Sequence, residues 1–169
     1  MSELTIAQAL RFASKLKNQV SDARARAVSS LNHKKDDQTA FDFSEMLEKA
    51  DSASYELASL HGKLAIVNAT NTVQYKGNSI SLSHAIRILQ ELKGRIAWVK
   101  ALTVAATENY KVAETTWSET AEKYVNGSAE MVCHLPEAKR VALVDSLQDE
   151  FDSLNGAVEM INQTVKITV

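Results

Sequence analysis

The residues with the greatest potential for chemistry are four histidines and one cysteine, and their spacing points away from a catalytic or metal site. His33, His61, His84 and His134 are dispersed along the chain. No two of them have the i, i+4 spacing of a helical metal pair, and no HExxH motif occurs. Cys133 is the single cysteine, which rules out an intrachain disulfide and a cysteine-rich zinc site. The sequence therefore predicts no metal, no cofactor and no catalytic residue.

Two closer arrangements have simpler interpretations than catalysis. Cys133 and His134 are adjacent in a predicted short strand, where successive side chains point to opposite faces, so they do not form a catalytic pair. Glu45, Glu48 and Asp51 recur at spacing three on a predicted helix. Paired carboxylates serve as general acid and base in some enzymes, but here a solvated helix face explains them.

The most suggestive feature is a concentration of aromatic and basic residues between positions 75 and 124. Its members are Tyr75, Trp98, Tyr110, Trp117 and Tyr124, with Lys76, Arg87, Lys93, Arg95, Lys100 and Lys111. Aromatic faces, positive charges and amide groups are what an anionic ligand that contains a base requires. The same residue types are enriched at subunit interfaces. Both interpretations stay open, and they are compatible because pockets often form between subunits.

Five residues in and beside this stretch are the predicted ligand-binding residues. They are Asn71, Tyr75, Lys76, Arg95 and Trp98. The segment Lys76-Gly77-Asn78 has the composition of a turn and is too short to cradle a phosphate by itself.

Composition and charge exclude several classes of protein. The 169-residue chain is 45% hydrophobic and 24% charged, with one proline and five glycines, which is typical of a folded protein with long helices. A net charge of −2 does not favour binding to a nucleic-acid polymer. Residues 1–37 carry +3 and residues 136–169 carry −3, a difference that suits antiparallel or intersubunit pairing of the two ends.

No segment of the chain predicts export or insertion into a membrane. The start lacks the continuous apolar core of a signal peptide, and no run of 18 apolar residues occurs. We therefore expect a cytoplasmic protein, in the host cytoplasm if a phage encodes it, with no membrane partner.

Heptad patterns predict the fold. Apolar residues at alternating spacings of three and four mark the first helix: Ile6, Ala9, Ala13, Leu16, Val20, Ala23 and Ala27. The same spacing marks the seam of the second helix: Phe43, Met46, Ala50, Ala53, Leu57, Leu60, Leu64 and Val67. The predicted class is mainly α, an elongated antiparallel helical bundle or coiled coil of about four long helices with a small β-hairpin element. We expect one domain over 1–169. Its parts are a helical hairpin at 4–67 with a loop at 32–38, a β-hairpin at 71–82, a helix at 83–107, an irregular segment at 108–135 and a C-terminal helix at 136–166. Within the irregular segment, 131–135 is expected to add a strand to the β-hairpin.

The centre of the chain resembles a known family. Val67-Asn68-Ala69-Thr70-Asn71, Gly77 and Leu82-Ser83-His84-Ala85-Ile86 resemble an Asn-x-Thr-Asn … Gly … Leu-Thr-x-Ala-Leu pattern. That pattern is similar to the septicolysin-like family of small helical proteins in bacteria and phages. The Arg-Arg-Asp that follows in the family is replaced by Ile88-Leu89-Gln90. The resemblance implies long helices, a small β element and a symmetric oligomer, and it implies no established activity.

These observations lead to two main hypotheses. In the first, the protein is a non-enzymatic homo-oligomer whose inter-subunit pockets bind a small anionic, nucleotide-like ligand. In a phage setting it would sequester a host immune signal. In the second, it is a purely structural oligomer, such as a virion or scaffold component, without a ligand. An enzyme such as a nucleotide hydrolase would need a catalytic constellation that the sequence does not show. Pore formation, which the family label suggests, would need an amphipathic hairpin of membrane-spanning length, which is not visible.

Overall fold

The computed structural model describes residues 3–34 and 39–168, so positions 35–38 of the predicted loop lie outside the described residues. The described residues form four helices and six strands, in this order along the chain: β1 (Glu3–Thr5), α1 (Ile6–Ser30), α2 (Phe43–Thr70), β2 (Thr72–Tyr75), β3 (Asn78–Ser81), α3 (Leu82–Ala101), β4 (Asn109–Ser118), β5 (Lys123–Val132), α4 (Glu137–Thr164) and β6 (Lys166–Thr168). None of the described helices combines the length and the apolar character needed to cross a membrane.

The predicted fold class is wrong in one respect: this is a mixed α/β protein rather than a helical bundle with one hairpin. Of the residues that the structure describes, 62% are helical and 21% are in strands, so the protein is mainly helical. The strands form three separate two-stranded antiparallel sheets, β1–β6, β2–β3 and β4–β5. Most of the unexpected strand lies in β4 and β5, where tyrosine, valine, threonine and tryptophan favour extended backbone over helix.

A long hairpin replaces the irregular segment expected at 108–135. Strands β4 and β5 pair over ten residues each, from Asn109 opposite Val132 to Ser118 opposite Lys123. The strand expected at 131–135 is also different. The structure ends β5 at Val132 and pairs it with β4, so it adds nothing to the β2–β3 hairpin, which remains two-stranded.

The two ends of the described chain pair with each other in β1–β6. Leu4 lies opposite Ile167 in an antiparallel register, and Lys166 Nζ lies 3.1 Å from Glu3 Oε2. At the β1–α1 junction, the Thr5 hydroxyl accepts a hydrogen bond from the Gln8 N–H, and the Gln8 side chain accepts one from the Thr5 N–H. This capping box satisfies two backbone donors that the first helical turn leaves unpaired.

The chain divides into two compact units, which we describe separately. The first comprises Met1–Arg87 and Asn155–Val169, and the second comprises Ile88–Leu154. The expectation of one folded domain over 1–169 stays a prediction.

In the first unit, α1 and α2 form a helical hairpin that buries most of the predicted seam residues, while Val20, Leu57 and Val67 are half-buried. The buried residues of the two helices are Ile6, Ala9, Ala13, Leu16, Ala23, Ala27 and Ser30 in α1, with Met46, Ala50, Ala53, Leu60 and Leu64 in α2. Asp42 caps α2, because its carboxylate accepts a hydrogen bond from the Glu45 N–H at 2.8 Å. Phe43, expected at the start of the α2 seam, is exposed instead.

In the second unit, Leu92, Ile96 and Val99 of α3 form a core cluster with Leu147 of α4. Half-buried residues surround this cluster: Ile88, Leu143, Val144 and Phe151. Helix α3 ends at Ala101, six residues before the predicted end at 107. At this end Arg140 Nη1 donates to the Lys100 carbonyl oxygen at 2.9 Å, which satisfies one of the carbonyls that the last helical turn leaves unpaired.

Candidate binding site

The predicted site residue Asn71 closes the base of the β2–β3 hairpin. It caps the C-terminus of α2, where its backbone N–H and its side-chain Nδ2 both donate to the Val67 carbonyl oxygen, at 3.0 and 2.8 Å. Its own carbonyl oxygen accepts from the Leu82 N–H at 2.8 Å. Asn71 therefore joins two helices at the base of the hairpin: its two N–H groups bond to α2, and its carbonyl oxygen bonds to the first residue of α3.

Tyr75 and Lys76 lie at the tip of the same hairpin. Lys76 and Gly77 form the two-residue turn, with φ of 48° and 79°. Positive φ at both central residues is the mark of a type I′ turn, which matches the twist of the flanking strands. Lys76 Nζ lies 5.2 Å from the centroid of the Tyr75 ring, a cation–π contact. The hairpin thus holds a positive charge over an aromatic face.

Next to this hairpin, Asn68 carries an unsatisfied polar atom. Its side-chain Oδ1 is buried and has no hydrogen-bond partner within the described residues. Burying an acceptor without a donor costs about 1–3 kcal/mol, so such groups in folded proteins call for an explanation.

Arg95 and Trp98 lie three residues apart on α3, so they are neighbours on the helix surface, and both are exposed. The Trp98 side chain is 62% exposed. The structure therefore places the five predicted residues in two groups. Asn71, Tyr75 and Lys76 belong to the first unit, and Arg95 and Trp98 belong to the second.

The β4–β5 hairpin contributes functional candidates that the sequence analysis placed only in the general aromatic stretch. Along one face of the hairpin, Trp117 and Tyr124 form a T-shaped pair with ring centroids 5.2 Å apart. Next to them, the Thr115 hydroxyl donates to Asn126 Oδ1 at 3.2 Å. The face thus presents aromatic edges beside amide and hydroxyl groups. The β-branched and aromatic residues in 109–118 are the sequence signal that could have indicated these strands.

The other face of the same hairpin is apolar and only partly covered. Tyr110, Val125 and Ala129 are half-buried, while Val112 and Met131 are 44% and 42% exposed. An isolated two-stranded hairpin is marginally stable in water. The apolar side chains on this face are therefore accessible to solvent.

A cleft lies between α1 and α2 in the first unit. Its volume is about 430 Å³, and its base includes Ala23, Met46 and Ala53. Asp22, Arg26, Lys49 and Glu56 line its rim, along with Gln19 and Ser52. The Arg26 guanidinium lies 5.0 Å from the centroid of the Phe41 ring. Two acids and two bases at the rim give the cleft no net preference for an anion.

The described residues contain no group of three or more His, Cys, Asp and Glu side chains that could hold a metal ion. Cys133 is half-buried just beyond β5, and its N–H donates to the Glu108 carbonyl oxygen at 2.7 Å. Neither it nor the described histidines belongs to a cluster with the geometry of a nucleophile and its base.

One ion pair in the second unit has a clear electrostatic signature. Arg140 Nε and Nη2 donate to the two carboxylate oxygens of Glu137, at 2.9 and 2.6 Å. These hydrogen bonds hold the pKa of the Glu137 carboxyl below its ordinary value and raise the pKa of Arg140. The Arg140 guanidinium also donates to the Lys100 carbonyl oxygen. The Glu137–Arg140 pair therefore has a structural role, because it holds the start of α4 against the end of α3.

Comparison with known proteins identifies a similar fold but indicates no activity. No known family and no curated protein matches this chain. The structure is similar to the crystal structure of a functionally unknown conserved protein from Corynebacterium diphtheriae, with a TM-score of 0.73. The likeness covers 99% of this chain and 100% of that chain at 13% identity. The two proteins therefore share a fold over their whole lengths, and the resemblance to the septicolysin-like family stays a prediction.

Proposed function

We propose that this protein is a non-enzymatic homo-oligomer that binds a small anionic, nucleotide-like ligand in pockets between its subunits. The observation that carries the proposal is the exposure of three large aromatic side chains in the second unit. Trp98, Trp117 and Tyr124 are 62%, 54% and 71% exposed. Exposed groups of large aromatic residues mark surfaces that bind another molecule.

The chemistry around these rings suits a base and an anionic group. Trp117 and Tyr124 offer stacking surfaces, and the neighbouring Thr115 and Asn126 offer hydrogen-bonding groups to the edge of a base. Arg95, one helical turn from Trp98, supplies a guanidinium that binds anionic oxygens in a bidentate fashion. For a phage-encoded protein, the corresponding role is sequestration of a nucleotide signal of the host.

Asn68 supports the oligomeric part of the proposal. Its buried Oδ1 has no donor within the described residues, so a ligand or a second subunit that brings one would remove an energetic penalty. Asn71 follows one turn later and keeps its Oδ1 as a further acceptor beside the cap that Nδ2 makes.

A differential scanning experiment tests the ligand-binding part. The protein is mixed in turn with mono-, di- and cyclic nucleotides, and we expect one class to raise the melting temperature. Trp98→Ala and Arg95→Ala should reduce that shift. The matched control is Tyr55→Ala, which removes an aromatic ring that is 78% exposed on α2, outside the candidate residues. A panel without any shift, or a shift that Trp98→Ala and Tyr55→Ala reduce equally, would contradict this proposal.

The second candidate function is a structural assembly protein without a ligand. Exposed apolar side chains in the first unit favour it, because Val28, Leu31 and Ile66 are 70%, 55% and 66% exposed and lie outside the aromatic and basic stretch. Such residues form contacts between proteins but offer nothing to an anionic ligand. Large assemblies with no bound small molecule would support this candidate over the first.

A further inference from the structure

Strand β5 has a free edge with a defined set of unpaired backbone groups. The β4–β5 sheet is two-stranded among the described residues. Just beyond its end, the Cys133 N–H donates to the Glu108 carbonyl oxygen. Hydrogen-bonded and non-hydrogen-bonded pairs alternate in an antiparallel ladder. The backbone groups of residues 124, 126, 128, 130 and 132 therefore point away from β4, where they form a template for another strand.

We propose that this edge binds the β5 edge of a second copy of the chain, with a two-fold axis at Ser128, to give a four-stranded antiparallel sheet. The inference rests on the homo-oligomer proposed above and names its interface. On one face, this register sets Val125 opposite Met131 of the second copy and Gly127 opposite Ala129 of the second copy. Apolar residues thus meet apolar residues on the face that is already partly covered.

The opposite face is equally complementary. Asn126 lies opposite Glu130 of the second copy, where the side-chain amide donates to the carboxylate. Tyr124 lies opposite Val132 of the second copy, and both residues are exposed, at 71% and 58%. Ser128 lies opposite Ser128 of the second copy. Two small, uncharged hydroxyl side chains fit this position without a steric clash. Nine residues of each copy, 124–132, take part in the pairing.

Neighbouring registers are less favourable. An axis at Glu130 sets two carboxylates opposite each other, and like charges in directly opposite positions destabilise a sheet. The other three registers each place a polar side chain opposite an apolar one. An axis at Gly127 sets Lys123 opposite Met131, and an axis at Ala129 sets Asn126 opposite Val132. An axis at Asn126 sets Lys123 opposite Ala129. Of these five registers, only the axis at Ser128 matches both faces over residues 124–132.

The β4 edge does not have the same property. An axis at its centre, Ala113, sets the Glu114 carboxylate opposite Val112 on the apolar face. A charged residue on the apolar face of an edge strand is one of the devices that prevent edge-to-edge pairing. The hairpin therefore has one protected edge, β4, and one self-complementary edge, β5.

Charge substitution at the axis tests the proposal. Because a residue on a two-fold axis faces itself, Ser128→Lys and Ser128→Asp each place like charges in contact, and each should weaken self-association about threefold or more. Mixing the two variants should restore association and enrich the mixed species above random pairing. The matched controls are Ala113→Lys and Ala113→Asp, which place the same charges at the centre of β4. Native mass spectrometry measures the species, and circular dichroism checks that each variant keeps the wild-type fold.

Each outcome bears on a different statement. Weakening at Ser128 but not at Ala113, with recovery in the Lys–Asp mixture, supports the β5 interface. A wild-type oligomer that the Ser128 substitutions leave intact, or that shows no enrichment of the mixed species, overturns the interface alone. A monomeric wild-type protein overturns both the interface and the proposed homo-oligomer. An oligomer that responds to Ser128 substitutions but carries no ligand leaves the interface standing and overturns the ligand-binding proposal.

Discussion

Trp117 and Tyr124 face each other across the β4–β5 hairpin, with ring centroids 5.2 Å apart and ring planes at 73°. They are directly opposite residues in the strand register, one pair away from the four-residue loop that joins the strands. Edge-to-face geometry is the favoured arrangement of two aromatic rings. The pair therefore stabilises the end of the hairpin while leaving both rings more than half exposed.

Truncation of this pair should lower stability. We expect Trp117→Ala to reduce the free energy of unfolding by about 0.5–1.5 kcal/mol, because the cross-strand aromatic contact is lost. Tyr124→Phe keeps the ring and removes only an exposed hydroxyl, so it serves as the control and should change little. Urea unfolding followed by circular dichroism measures both. Equal stabilities for wild type and Trp117→Ala would show that the pair is not holding the hairpin.

Two glycines should respond in opposite directions to the same substitution. Gly77→Ala should destabilise the protein by about 1 kcal/mol, because Gly77 has φ of 79° and a side chain disfavours that conformation. Gly62→Ala should stabilise it by up to about 1 kcal/mol, since Gly62 lies within α2 and an added Cβ meets no atom within 4 Å. Thermal melting of the two variants side by side provides the measurement. A stabilising Gly77→Ala would rule out the type I′ turn.

The Glu137–Arg140 pair predicts a specific acid sensitivity. The pKa of Glu137 is lower in the folded protein than its ordinary value of 4.5. Its contribution to stability is therefore present above about pH 4.5 and is lost as the pH falls through the lower, folded-state pKa. In Glu137→Gln this contribution is missing at every pH. We expect the melting temperatures of wild type and Glu137→Gln to converge as the pH falls below about 4.5. A constant difference between them down to acid pH would contradict this assignment.

Asn68 provides a test that separates binding from folding. Because its Oδ1 already lacks a donor in the described residues, replacing it with the apolar, similarly sized Leu should cost the protomer little. The same Asn68→Leu change should weaken oligomerisation or ligand binding, which we propose supplies the missing donor. Asn71→Leu is the contrasting variant, since it removes the hydrogen bond from Nδ2 to Val67 and should lower stability by about 1 kcal/mol. Analytical ultracentrifugation and thermal melting measure the two effects. A large loss of stability in Asn68→Leu would contradict this view of Asn68.

The helices could be predicted from sequence because their information is local. Ala9, Leu16 and Ala23 of α1 recur every seven residues, as do Met46, Ala53 and Leu60 of α2, and all six are buried as expected. The helix caps are local in the same way: the Asp42 carboxylate accepts from the Glu45 N–H three residues later, and the Ser81 hydroxyl accepts from the His84 N–H at 3.2 Å.

The strands were harder to predict, for two physical reasons. On β4 and β5 the apolar face is only half-buried and carries Glu114, so apolar and polar residues do not alternate cleanly. On β1 and β6, three-residue strands pair across 163 residues of chain, and no local pattern encodes such a contact. The candidate binding residues could be predicted only in part, because their contacts also depend on strand pairing. Composition identified the aromatic stretch, but only the strand register brings Trp117 to Tyr124 and Thr115 to Asn126.

Native mass spectrometry of the protein purified gently from cells tests the central proposal most directly. We predict a closed homo-oligomer that carries an additional mass of a few hundred daltons per site, consistent with a nucleotide-like ligand, and that loses this mass on denaturation. The mass of the released molecule identifies the ligand, and Trp98→Ala should abolish the adduct while Tyr55→Ala retains it. A monomer, or an oligomer of clean polypeptide mass, would contradict the proposed ligand-binding function.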